Sequence, residues 1–212
     1  MKKLNGASII LLLVVLGCKL PGALSGGGSS KGTASGGSDP KADVVEASKK
    51  FVDLPFFTAN MEGTGQTEIK SQVEYAAPDK YHVKYLGGTG AGMELIYIGK
   101  DSYMKAGDKW SKMPGGGTNI PTLRDSFTEA GLKTLTDVKF EGEDTIDGKP
   151  AMAYSYKNVT PVGAYPFTSK IWLSQKTGIP LRIYVEYSNG QLKNMTVNYD
   201  TESPVSIEAP IK

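Results

Sequence analysis

The chain has 212 residues with 24 basic and 22 acidic side chains, one histidine and one cysteine. That near balance of charge gives no footing for a nucleic-acid partner, and a single cysteine excludes an intramolecular disulfide. One histidine and one cysteine leave little for a serine or cysteine hydrolase or for a clustered zinc site.

The chain opens with Lys2 and Lys3, and an apolar run from Ile9 to Leu16 ends at Gly17-Cys18. A basic start, an apolar middle and a small residue before the cut are the parts of a secretory signal in order. The run is eight residues long, short of the roughly 20 needed to cross a bilayer as a helix, so residues 1–17 read as a signal peptide. Val15-Leu16-Gly17-Cys18 resembles the lipobox of bacterial lipoproteins. That resemblance implies that Cys18 is acylated, with palmitate-type chains, and becomes the N-terminus of the mature protein. The bland alternative is a spare thiol in an ordinary signal. Each buried methylene contributes roughly 0.8 kcal/mol, so several acyl chains make membrane lipid the first expected partner. Lys19 follows the cysteine. The sorting rule of Gram-negative lipoproteins keeps inner-membrane retention mainly for aspartate there, which favours the outer membrane where the cell has one. Loss of residues 1–17 leaves 22 basic against 22 acidic side chains, a formally neutral mature chain.

Residues 18–42 follow as a lipidated cysteine and a Gly/Ser-rich tether, with Gly26-Gly27-Gly28-Ser29-Ser30 and Gly36-Gly37-Ser38. Such a composition stays a flexible coil and holds a domain off the membrane surface. Residues 43–212 suit one domain with a single core. Val44, Val45, Ser48, Phe51 and Val52 follow helical spacing from Ala42, and Pro55 limits that helix. Beyond it the period becomes two, except at Met93 to Ile98, which is apolar on both faces. Phe57 to Gly63, Thr67 to Tyr75, Tyr81 to Tyr85, Met93 to Ile98 and Ser102 to Lys105 read as strands. Pro121 to Leu135 interrupts with a helical stripe of Leu123, Phe127, Ala130, Leu132 and Leu135. Strands resume at Val138 to Glu143, Ala151 to Lys157, Thr168 to Ser174, Leu181 to Tyr187 and Leu192 to Tyr199. Asp147-Gly148, Lys176-Thr177-Gly178 and Asn189-Gly190 supply hairpin turns.

About ten antiparallel strands with few helices either pack as two sheets or curl one sheet around an interior. The simpler reading is mainly β (α+β): a strongly curved antiparallel sheet forming an open half-barrel, covered by two or three short helices. A β-sandwich is the competitor that periodicity leaves open.

His82 shares a strand face with Lys84 and reads as a solvated residue. Glu141-Gly142-Glu143-Asp144 reads as a strand end in preference to a calcium site, and no metal or cofactor is expected. Gly87 to Gly92 runs into a strand, not a helix, and so is no phosphate loop. The lack of catalytic equipment shifts weight from enzyme to binding. The aromatic and methionine side chains fill a core first, but some can line a cavity, where methionine adapts to flexible guests and tyrosine offers a polar tip. The candidate lining is Tyr81, Tyr85, Met93, Tyr97, Tyr103, Trp110, Phe127, Tyr154, Trp172 and Tyr184.

Tyr97 to Lys105 followed by Trp110-Ser111-Lys112 resembles the hairpin of LolA/LolB-like and LppX/LprG-like lipoproteins. Gly142 to Tyr154 is similar to a later hairpin of those proteins, and Ile171-Trp172-Leu173 with Gly178 to Arg182 to their final pair of strands. The likeness spans residues 43 to 200. It implies an open half-barrel whose mouth is closed by helices around an apolar cavity for acyl chains of lipids or lipoproteins. The anchor at Cys18 departs from the freely diffusing member of that family, and no site residue carries over. The sequence therefore reads as a monomeric, membrane-anchored envelope lipoprotein that binds a lipid or other hydrophobic molecule. The alternatives are a structural or adhesion lipoprotein with a filled β core, and an envelope hydrolase built on a carboxylate pair. The helix at Pro121 to Leu135, after the Gly115 to Gly117 loop, is the candidate lid.

Overall fold

A computed structural model describes residues 38–88, 90–114, 127, 129–159, 166–188 and 191–211. The signal, Cys18 and most of the tether lie outside these residues, as do Gly115 to Gly117, the Asn189-Gly190 turn and the Pro121 to Ser126 part of the candidate lid.

Helix α1 spans Pro40–Val52, two residues earlier than the spacing predicts. The fixed φ of Pro40 suits the first helical position, and the Asp39 carboxylate accepts the Ala42 N–H at 3.0 Å as N-cap. Lys49 and Lys50 occupy the last turn, where positive charge is favoured. Val44, Ala47, Ser48 and Phe51 form the buried stripe. The buried Ser48 hydroxyl donates to the Val44 carbonyl at 2.7 Å.

The strands follow: β1 Phe56–Gly65, β2 Ile69–Ala76, β3 Lys80–Gly88, β4 Glu94–Ile98, β5 Asp101–Ala106 and β6 Lys109–Lys112. A short helix α2, Glu129–Lys133, precedes β7 Thr136–Ile146, β8 Lys149–Val159, β9 Pro166–Ser174, β10 Pro180–Tyr187 and β11 Leu192–Asp200. Strand β6 is the one that alternation does not announce. It forms because Gly107, at φ +62°, closes a tight turn that returns the chain onto β5.

All eleven strands join one antiparallel sheet in the order β6-β5-β4-β3-β2-β1-β11-β10-β9-β8-β7. Two meanders are thus sewn together where the first strand pairs with the last, from Thr58 opposite Asp200 to Glu62 opposite Thr196. The series of pairings leaves no second sheet among the described residues, so the sandwich falls away. Among the described residues β6 and β7 each pair on one side only, and the sheet is an open, curved half-barrel. Short, lysine-bearing β6 protects one edge. The bulges of β7, with Asp137 at φ +54° and Gly142 at φ +121°, bend the other.

The inner face is read off the register. Phe57, Tyr75, Tyr81 and Tyr97 form one row; Met61, Val197, Ile183, Ile171, Tyr154 and Phe140 form another. Helix α1 packs over this face. Phe51 meets Phe57, Phe127 and Tyr199 at ring-centroid distances of 4.9, 4.8 and 4.8 Å. Leu132 and Leu135 bury in the same cluster, and the Lys41 ammonium donates to the Leu135 carbonyl at 3.0 Å. The carboxylate of Asp43 takes the Tyr154 hydroxyl at 2.8 Å, which fixes the start of α1 to β8. On the outer face the C-terminal segment after β11 lays Val205 and Ile207 over Ile96, Tyr103 and Trp110.

Candidate functional site

Because a strand turns successive side chains to opposite faces, the pairing register sorts every strand residue as inward or outward. In β1 to β5 and β8 to β10 no inward position is charged. Burial along this uncharged surface is graded. Beneath α1 it is complete: Phe51 and Phe57 are wholly buried, and Tyr75 nearly so. Toward the opposite ends of the strands, Met61, Tyr85, Met195, Phe167 and Tyr187 are only half-buried, and Phe167 and Tyr187 face each other at 6.0 Å. That end is an apolar floor with less cover than the α1 end.

Polar side chains on this face are mostly hydroxyls, with the Asn158 amide opposite Phe167 accepting from Thr134. Tyr156 and Ser169 are register partners between β8 and β9. The Ser169 hydroxyl is buried, with the Tyr156 phenol facing it across the pairing. Burial pushes the Tyr156 phenol up to about 12, a nearby Ser169 hydroxyl pulling weakly the other way. Burial raises Tyr199 too, with the Tyr156 oxygen adding to the effect. On the other wing burial raises Tyr97, helped by the neighbouring Tyr85. Each shift says that the phenol stays protonated and able to donate.

Of the candidate lining residues, Tyr81, Tyr85, Tyr97 and Tyr154 point inward from their strands, and Phe127 joins their core. Met93 lies in the β3 to β4 turn, half-buried at the less covered end. Tyr103, Trp110, Trp172 and Tyr184 point outward. Tyr103 and Trp110 belong to the outer cluster under the C-terminal segment. Trp172 packs on Ile146, Ala151 and Leu181. Its indole donates to Asp144 at 2.8 Å, and Lys170 lies 4.8 Å over the ring. Tyr184 sits in register between Lys170 and Thr196. Alternation held the signal for all four, since each shares parity with charged neighbours: Asp101 and Lys105, Lys112, Lys170, Arg182 and Glu186. Inward Met61, Tyr156, Phe167, Ser169, Tyr187, Met195 and Tyr199 escape the sequence reading.

The outer face carries charge in ladders. His82 is held between carboxylates, Nδ1 3.1 Å from Glu74 and Nε2 3.0 Å from Glu94. Lys84 pairs with Glu74 at 3.1 Å and Lys105 with Glu94 at 2.7 Å. With both ring nitrogens engaged, His82 has none left to activate a hydroxyl. The Lys105 ammonium holds the Glu94 carboxyl below its usual range, opposed by desolvation and aided by His82. Among the described residues no group of three or more His, Cys, Asp or Glu is placed to hold a metal. Asp144 is engaged by Trp172, and Glu141 accepts from Ser155. A hollow of about 230 Å³ lies by the β7 to β8 turn, lined by Asn60, Asp147, Lys149, Asn198 and Asp200 with Ile146, Leu181 and Tyr199. It is too polar and too small for a drug-sized or lipid guest, whose pockets start near roughly 300 Å³.

No family model matches the chain, and no curated protein matches it. Solved structures do. The lipoprotein LppX of Mycobacterium tuberculosis is similar at a TM-score of 0.59 and 16% identity, covering 80% of this chain and 98% of that one. LprF of Mycobacterium bovis is similar at 0.60 and 14%, covering 82% and 97%. MucB is similar at 0.51 and 15%, with 80% of this chain against 62% of that one. At such identities the likeness is one of fold. The chain has the fold of the LolA/LppX-like lipoproteins.

Proposed function

We propose that the chain is exported, acylated at Cys18 and tethered to the envelope through residues 18–42, and that its inner face binds a lipid or other hydrophobic molecule as a monomer. The reading extends to moving such a molecule across the envelope, from the outer membrane where the cell has one, and it assigns binding rather than catalysis. One observation supports it: a concave surface, uncharged across β1 to β5 and β8 to β10, whose apolar side chains are sealed beneath α1 and half-covered at Met61, Tyr85, Phe167, Tyr187 and Met195. Half-buried apolar area forgoes roughly 25 cal/mol per Å², which a bound apolar guest would recover. A second reading, a structural or adhesion lipoprotein, is favoured by the close ring packing of Phe51, Phe57, Phe127 and Tyr199 beneath α1.

Mass spectrometry of lipids that co-purify with the full chain decides between them. Stoichiometric lipid, reduced by Met61→Glu with Met195→Glu, supports the binding reading; no lipid above the level of a control lipoprotein refutes it. Metabolic labelling with palmitate tests the anchor separately. Label on the native chain that disappears in Cys18→Ser is the expected result, and label that persists in Cys18→Ser overturns it.

A further inference from the structure

We propose that the hollow beside the β7 to β8 turn binds a neutral, hydroxyl-rich ring, a single hexopyranose unit, through the amide donors of Asn60 and Asn198 and the carboxylates of Asp147 and Asp200. The inference does not depend on the lipid-binding reading above.

The hollow of about 230 Å³ lies on the seam where the first strand meets the last. Gln72, Asn60, Asn198 and Arg182 are register partners across β2, β1, β11 and β10. The Asn60 carbonyl accepts from the Gln72 amide at 3.0 Å, and the Asn198 carbonyl accepts from the Arg182 Nε–H. Both carbonyls are thus committed to the flanking strands, and each amide keeps its two N–H donors for the hollow that the pair lines. Acceptors share the lining. Asp147 stands in the two-residue turn, at φ +51° before Gly148 at +80°, so the hairpin itself sets its place. The Ser203 hydroxyl and the backbone N–H groups of Glu202 and Ser203 hold the Asp200 carboxyl below its usual range, which keeps it an acceptor. Buried Ile146 and Leu181 complete the lining with an apolar patch.

Size and charge narrow the guest. The volume lies below the roughly 300 Å³ at which drug-sized pockets begin, which leaves room for one small ring. Asp147 and Asp200 repel an anion. The cations nearby are engaged, Lys149 with Glu202 at 2.8 Å and Arg182 with Asp147 at 3.4 Å, so a carboxylate or phosphate finds no spare partner. The Lys149 ammonium and the amide donors oppose a metal ion. A pyranose meets all of these terms: its hydroxyls both donate and accept, and its C–H face packs on apolar side chains. Donors carried by strands are already ordered, which lowers the entropy lost on binding.

The test uses the full chain in a zwitterionic detergent, with saturation-transfer NMR of the methyl α-glycosides of glucose, galactose and mannose. At least one should bind with a dissociation constant of about 1 mM. The uronate of that same sugar, and cyclohexanol with its single hydroxyl, should each bind about tenfold more weakly. Asn60→Ala with Asn198→Ala should weaken the glycoside about tenfold. Asp147→Asn should weaken it about threefold; asparagine also tolerates positive φ, so this variant carries the test should the double one not fold. A hexasaccharide of the sugar that binds as well as the glycoside marks the end of a glycan as the source, and binding of the glycoside alone marks a free sugar; both support the ring chemistry. No binding of any of the three glycosides at about 10 mM, a uronate that binds equally well, or binding indifferent to both variants overturns the inference.

Discussion

Phe51→Ala should detach α1 from the half-barrel and cost the protein a large share of its stability. Phe51 is wholly buried and is the meeting point of three rings, with Phe57, Phe127 and Tyr199 all within 4.9 Å. Emptying a buried phenylalanine site costs about 3–5 kcal/mol when the surroundings cannot collapse into it. Collapse is hindered here because the sheet below is held by its own ladder and α1 is pinned at its start by Asp43 to Tyr154 and by Lys41 to Leu135. Against a total of about 5–15 kcal/mol, a loss near 4 is decisive. Urea titration of the chain carrying Cys18→Ser, followed by tryptophan fluorescence, measures it. Trp110 and Trp172 both lie on the outer face, so their signal reports unfolding of the sheet and not the local loss of a ring. The expected result is a lower midpoint at unchanged slope, together with faster tryptic cleavage at Lys49 and Lys50 under native conditions. A loss below about 1 kcal/mol would show that the ring cluster is not what holds α1 down.

Two pH dependences follow from the ionisable groups. Tyr156 is pushed up to about 12, and Tyr154 and Tyr199 are also raised. The unfolded phenols ionise near 10 while the folded ones resist, so stability is intact below pH 10 and falls above it by up to about 1.4 kcal/mol per pH unit for each tyrosine. Absorbance at the phenolate band should show these tyrosines titrating only with unfolding; reversible titration of every tyrosine near pH 10 in the folded state would contradict the assigned burial. On the acid side, the Glu94 carboxyl is held below its ordinary 4.5 chiefly by Lys105. Its contribution is therefore present above pH 4.5 and is lost as pH falls through the lower folded value. Glu94→Gln should flatten this part of the stability curve between acid and neutral pH, and an unchanged acid slope would refute the role of the pair.

Much of the architecture was legible because two periods announce it. The helical spacing of Val44, Ser48 and Phe51 marks α1, and alternation marks β2 and β3, with Asp147-Gly148 signalling a turn that the structure forms with φ of +51° and +80°. Alternation also held the answer for Trp172 and Tyr184, which share parity with Lys170 and Arg182. They are misplaced when size and aromaticity are weighed ahead of parity. Strand β6 escapes because four residues bounded by lysines show too few repeats for a period to appear.

The sequence by itself determined the local elements and the face each side chain takes, since both follow from backbone geometry over a few residues. Only the tertiary structure decided that β1 pairs with β11, which brings Thr58 beside Asp200 and makes one half-barrel of two meanders. It likewise decided that Tyr156, Ser169 and Tyr199 share one interior and that the segment after β11 covers the outer cluster at Ile96 and Tyr103. Pairings across such separations are selected by the fit of whole surfaces, and no short window of residues carries that information.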